Sequence, residues 1–177
     1  MPYAVTCCLA PASADRVRSL WEVLAREGLS DSAVRLGYEP HITLAILDDT
    51  ADATALIDAT SGVAADWTAL PITCAALAVF TAAPATLWVA PTATAELLRR
   101  HTAITAALPA APLHPHYRPG AWMPHITLAD DLPQVSIGAA LMAAAGQFQP
   151  FDSSLDRVEI VRFRPVIRLW QSRLRAA

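Results

Sequence analysis

The sequence predicts a fold that mixes helices and strands, α+β or α/β, built as two similar lobes. Two observations carry that expectation. The hexapeptide Pro-His-Ile-Thr-Leu-Ala occurs twice, at Pro40–Ala45 and again at Pro124–Ala129. Around each copy, segments with strand and helix patterning follow one another in the same order, as expected of one supersecondary plan used twice.

Tyr3–Leu9 is a short apolar run and reads as a buried strand. Pro11 ends it, and Ser13 is placed to cap a helix over Asp15–Arg26, where Val17, Leu20, Trp21 and Leu24 recur at helical spacing. Gly28 stops that helix. A polar loop then leads through Gly37-Tyr38-Glu39 into a strand at His41–Leu47. Asp52–Ala65 predicts a second helix and Pro71–Phe80 a strand. In the second half, Thr86–Ala90 is a short strand. Thr92–Leu108 is a helix with Leu97, Leu98, Ile104 and Leu108 on its apolar side and His101 on its polar side. The Pro-rich stretch Pro109–Pro124 precedes the second motif strand, His125–Leu128. Pro133–Ala145 predicts a fourth helix, and Val158–Phe163 and Val166–Leu174 two closing strands. Trp21 and Trp88 sit in regular apolar patterns and read as core, and Trp67 closes a helix-to-strand connection.

Chemistry enters through the alternation of the hexapeptide. On a strand, residues i and i+2 share a face. His41 and Thr43 therefore project together, as do His125 and Thr127, while Ile42, Leu44, Ile126 and Leu128 face a core. A duplicated structural strand would need the Ile and Leu but not the His and Thr. Two such strands side by side gather two imidazoles and two hydroxyls at one cleft. Opening a phosphodiester needs a base for the attacking oxygen and an acid for the departing one. Histidine, with an ordinary pKa near 6.5, serves as either close to neutral pH. Threonine hydroxyls donate to the non-bridging phosphoryl oxygens as charge gathers there. This logic needs no metal and no cofactor, and neither glycine-rich phosphate-loop pattern occurs in the chain.

The loop Leu113–Trp122 runs directly into the second motif strand, so its side chains are candidates for the cleft wall. Tyr117 and Trp122 are candidates for stacking on a base and Arg118 for pairing with a phosphate. Tyr38, three residues before His41, is the matching aromatic at the other rim. Each has a structural alternative: Trp122 as a core lid, Tyr38 as half-buried packing, Arg118 as a solvated loop residue. His114-x-His116 lacks the carboxylate or Cys cluster that a metal site needs, so no metal is expected.

At His41-Ile-Thr43-Leu and His125-Ile-Thr127-Leu the sequence resembles the two-histidine (2H) phosphoesterase superfamily, whose mark is a pair of H-x-T-x motifs. The setting Ala121–Ala129 looks especially like its 2'-5' RNA ligase-like branch. The resemblance implies a bilobal α+β fold with a pseudo-twofold axis: two mainly antiparallel sheets flanking a central cleft, helices outside, one motif per lobe. It also implies metal-independent hydrolysis or transfer at 2',3'-cyclic phosphates of nucleotides or RNA ends. By analogy His41 is the proton donor and His125 the acceptor, with roles exchanged in the ligation direction. Joining of RNA ends through a 2'-5' linkage and nucleotide binding without turnover stand as alternatives, as does a cyclic phosphoester of a small metabolite unrelated to RNA.

Composition bounds the partners. The 177 residues suit one domain. All 13 basic residues are Arg and the net charge is −3, which fits a cyclic nucleotide or an RNA-end phosphate better than a long RNA or DNA. Arg162 and Arg164 can form only a small basic strip. Cys7, Cys8 and Cys74 are odd in number and lack C-x-x-C spacing, which suits buried thiols in a reducing compartment. The apolar start has no basic leader and no run approaches a membrane span. A cytoplasmic monomer is expected.

Overall fold

The structure, a computed structural model, describes residues 1–109 and 111–176. Its elements are β1 (Tyr3–Leu9), α1 (Pro11–Arg26), α2 (Ser32–Leu36), β2 (His41–Leu47), α3 (Ala53–Ala64), β3 (Leu70–Phe80), β4 (Ala85–Pro91), α4 (Ala95–Ala107), β5 (Ile126–Leu132), α5 (Ile137–Ala145), β6 (Phe151–Arg162) and β7 (Ile167–Arg173). Among the described residues no helix is long and apolar enough to cross a membrane.

Local chemistry sets most boundaries. Pro11 opens α1 instead of separating it from the strand, because the first helical position needs no N–H donor. Ser13 lies inside that first turn, and its hydroxyl reaches the Ala10 carbonyl at 3.0 Å and the Ser153 hydroxyl at 2.5 Å. Asp52 caps α3 through the Thr54 and Ala55 amides at 2.8 and 3.2 Å. Thr94 caps α4, which therefore begins later than the composition suggests. The loop after Gly28 contains the short helix α2, which ends at Gly37 with φ of 61°, a left-handed conformation that favours glycine.

All ladders are antiparallel, in the order β2-β1-β6-β3-β4-β5, with β7 also on β6. The long β6 joins two halves of this ladder. Its Leu155–Arg162 stretch pairs β1, while Phe151–Leu155 pairs β3. The seven strands form one connected sheet, in which the two sheets implied by the resemblance are the arms β7-β6-β1-β2 and β6-β3-β4-β5, joined through β6. The halves match as β1-α1-β2-α3-β3 and β4-α4-β5-α5-β6. The third strand of each half crosses into the sheet of the other.

The motif strands β2 and β5 end the two sheets and touch each other. Ile42, Leu44, Ile126 and Leu128 are buried in one core with Leu20 and Leu24 of α1, Leu56 of α3 and Leu97 of α4. The three thiols are buried, and burial pushes Cys7 and Cys74 up to about 12 and Cys8 up to about 11.

Candidate functional site

Each hexapeptide orients its imidazole in the same way. Proline biases the residue before it towards extended backbone, and in both copies that residue turns its carbonyl onto the histidine. His41 Nδ1 lies 2.6 Å from the Glu39 oxygen and His125 Nδ1 lies 2.8 Å from the Met123 oxygen. A carbonyl only accepts, so both rings donate through Nδ1–H. In the neutral rings Nε2 is then the basic nitrogen.

Reciprocal tryptophan bonds fix the two motif strands. Trp21, on α1 in the first half, donates its Nε1–H to the Thr127 carbonyl at 3.0 Å. Trp122, just before β5 in the second half, donates to the Thr43 carbonyl at 3.0 Å. Trp122 also stacks face to face on His101, with ring centres 4.0 Å apart and planes 2° from parallel. His101 in turn donates Nε2–H to the Tyr117 carbonyl at 2.9 Å.

The surroundings of the two histidines differ. Beside His41 the Tyr38 ring lies 4.7 Å away, centre to centre. The Tyr38 hydroxyl donates to Glu159 Oε2 at 2.7 Å and meets the Thr6 hydroxyl at 2.8 Å. Glu159 is fully buried, and its Oε1 accepts from Arg157 and Arg168 at 2.6 and 3.0 Å. His125 instead faces aromatic edges, Phe80 at 5.2 Å and Trp88 at 5.9 Å. Burial lowers the His41 pKa to about 4, further opposed by charge on His125, while the Glu39 bond and Glu159 act the other way. Burial lowers His125 as well.

A cleft of about 820 Å³ opens on the second-lobe side, walled by His125, Thr127, Phe80, Met123 and Tyr117 among others. His41 and Thr43 lie outside its walls, on the adjoining strand β2.

The other candidate residues fall into two groups. Tyr117 lines the cleft, with its ring 6.4 Å from His125 and its phenol pushed up to about 12 by burial. Arg118 is exposed and outside the cleft wall. Tyr38 and Trp122 are 8% and 7% exposed and committed to interior hydrogen bonds, so neither presents a face to a base. The sequence carries no signal for Glu159 as a neighbour of His41, because the link runs through Tyr38, 121 residues away, and it marks Phe80 only as the end of a strand. His101, expected on a polar face, is 2% exposed. Its signal was present: Leu97, His101, Ile104 and Leu108 follow helical spacing, which places the ring in the apolar stripe.

A family profile described as the 2'-5' RNA ligase superfamily matches residues 9–166. The chain belongs to the 2'-5' RNA ligase superfamily. No curated protein sequence matches. Solved structures similar to this member of the superfamily include Escherichia coli LigT complexed with 3'-AMP, at 14% identity and TM-score 0.63, with 98% of this chain and 99% of that chain covered. LigT complexed with NADP+ gives 15% identity and TM-score 0.61, with coverage of 98% and 96%. A protein described as a phosphoesterase gives 16%, 0.60, 98% and 97%. The fold is that of the superfamily along nearly the whole chain, and membership makes the protein an enzyme of the phosphoesterase and ligase type.

Proposed function

We propose that the protein is a metal-independent phosphodiesterase that opens 2',3'-cyclic phosphates of nucleotides or RNA ends. The observation that carries this reading is the matched pair His41 and His125, each with Nδ1–H tied to the carbonyl two residues back and Nε2 left for proton transfer. One Nε2 takes the proton of the attacking water. The other ring, as imidazolium, protonates the ribose oxygen that leaves phosphorus. Thr43 and Thr127 donate to the non-bridging oxygens, each from the same strand face as its histidine.

Burial disfavours charge on both rings in the free protein. A cyclic phosphodiester carries one negative charge, so its arrival favours the imidazolium that the leaving oxygen requires. LigT bound to 3'-AMP supports the substrate class. A 3'-nucleotide is what remains when a 2',3'-cyclic phosphate opens at its 2' oxygen.

The test is incubation with the four 2',3'-cyclic nucleoside monophosphates in EDTA, resolving 2'- from 3'-phosphate products. Turnover is expected for wild type, and its loss by at least ~100-fold in His41→Ala and in His125→Ala, as removal of one proton-transfer group requires. Near-normal activity in either variant removes the paired mechanism. Products joined through a 2'-5' linkage, formed from RNA ends alone, point instead to ligation. Binding without product points to a recognition domain.

A further inference from the structure

Two histidines outside the motifs share the cleft with His125. His114 and His116 both line it, with ring centres 5.0 Å apart at 74°. The segment that bears them is anchored on both sides. Leu113 bridges Leu47, the His114 amide donates to the Ile46 carbonyl at 2.9 Å, and Pro115–Tyr117 forms a single tight helical turn. The imidazoles are therefore held beside the end of β2 on a short, tied turn.

Charge makes their position informative. Among the described residues the walls of this cleft contain no Arg, and the chain contains no Lys. Asp130, the one acidic side chain on the described walls, is paired with Arg164. The cleft volume of about 820 Å³ lies near the top of the usual range for small-ligand sites, roughly 300–1,000 Å³. For a ligand that fills it and carries a second phosphate, these two rings are the side-chain nitrogen donors outside the motifs on the described walls, beside the neutral hydroxyls of Thr81, Thr86 and Tyr117.

We propose that His114 and His116 form a second phosphate subsite, so that the preferred substrate is a cyclic phosphate bearing a further phosphate group. This rests on the cyclic-phosphodiesterase reading above. The further phosphate belongs either to a 5'-phosphorylated nucleotide or to the next linkage of an RNA 3' end. Each neutral imidazole donates one hydrogen bond to a phosphoryl oxygen. Burial and then the neighbouring His116 lower the His114 pKa, and a bound phosphate favours its protonated form, so the preference strengthens in acid. The groups facing the pair are each other, Tyr117 and His125 from the cleft, and Asp130, already engaged by Arg164.

The experiment compares three probes at about pH 6 and about pH 8, spanning the ordinary histidine range. They are a 2',3'-cyclic nucleoside monophosphate, the same compound with a 5'-phosphate, and a dinucleotide ending in the cyclic phosphate. Wild type is expected to favour one of the doubly phosphorylated probes by about tenfold in kcat/KM at the lower pH, the size of one charge-assisted hydrogen bond. The advantage shrinks at the higher pH. It disappears in the double variant His114→Ala, His116→Ala, which lacks both donors and keeps turnover of the singly phosphorylated probe. Which probe is favoured identifies the source of the second phosphate. Equal kcat/KM for all three, or a preference retained by the double variant, overturns the subsite. Calorimetric binding of the same probes separates the two readings. If no probe is turned over but the doubly phosphorylated one binds about tenfold more tightly to wild type than to the double variant, the subsite stands and the phosphodiesterase reading falls. Equal binding by both proteins removes the subsite.

Discussion

His41 is a ring whose surroundings oppose its charge, and this has two readable consequences. Its pKa falls from an ordinary 6.5 to about 4, mainly because burial disfavours the imidazolium, and burial lowers His125 in the same direction. For catalysis, the free-protein profile of kcat/KM reports these groups. A bell is expected with its maximum below about pH 6.5, since both titrations lie on the acid side of the ordinary value. An optimum on the alkaline side of neutrality contradicts it. For stability, the unfolded chain binds protons at His41 from about 6.5 downward while the folded chain resists until about 4. More protons on the unfolded state means stability that rises with pH. The melting temperature should therefore drop as pH falls through this window, and His41→Asn should flatten the drop. An equally steep fall in the variant would assign the acid sensitivity to other groups, such as His101, which burial also lowers.

At the scale of elements, the two motif strands are positioned by indole N–H groups from the opposite half. Trp122→Phe keeps most of the packing on His101 but leaves the Thr43 carbonyl without its donor. The expected cost is about 1–3 kcal/mol of stability for the orphaned acceptor. Because Thr43 is two residues from His41, kcat should fall along with the melting temperature. Full activity in a destabilised Trp122→Phe would reduce this bond to packing alone. This role was hidden in the sequence, where Trp122 read equally well as a base-stacking residue, because the acceptor is a backbone atom 79 residues away. The motif strands themselves were plain, since period-two alternation and the proline before each histidine are local signals. Helix α2 was not, being one turn without an apolar stripe. The start of β6 was hidden too: Asp152, Ser153, Ser154 and Asp156 make it polar, and a register shift between its Leu155 and Arg157 pairings breaks the alternation.

Across the whole molecule, the repeat seen in the hexapeptides is not a pair of independent lobes. Strand β3 of the first half pairs with β4 of the second, and β6 of the second half pairs with β1 of the first. Helix α1 packs on β5 and α4 packs on β2. The first half, taken alone, holds the β1-β2 ladder plus β3, whose neighbours belong to the other half, and the second holds only the separate two-stranded ladders β4-β5 and β6-β7. Each fragment is therefore too small a sheet to stand by itself. The apolar residues of both motif strands also belong to one core cluster. Breaking either lobe therefore exposes the interior of the other, and unfolding should be a single cooperative transition with coincident signals from different probes. Cutting the chain in the β3–β4 turn, into 1–82 and 83–177, gives the sharper test. Neither fragment should show a cooperative melt alone, whereas the two expressed together should assemble and recover the transition. A fragment that melts cooperatively by itself would mean that one lobe is autonomous and that the exchanged strands are decoration. The proposed catalytic pair belongs to strands from different halves that touch each other, His41 on β2 and His125 directly before β5. Activity, in this architecture, should return only with assembly.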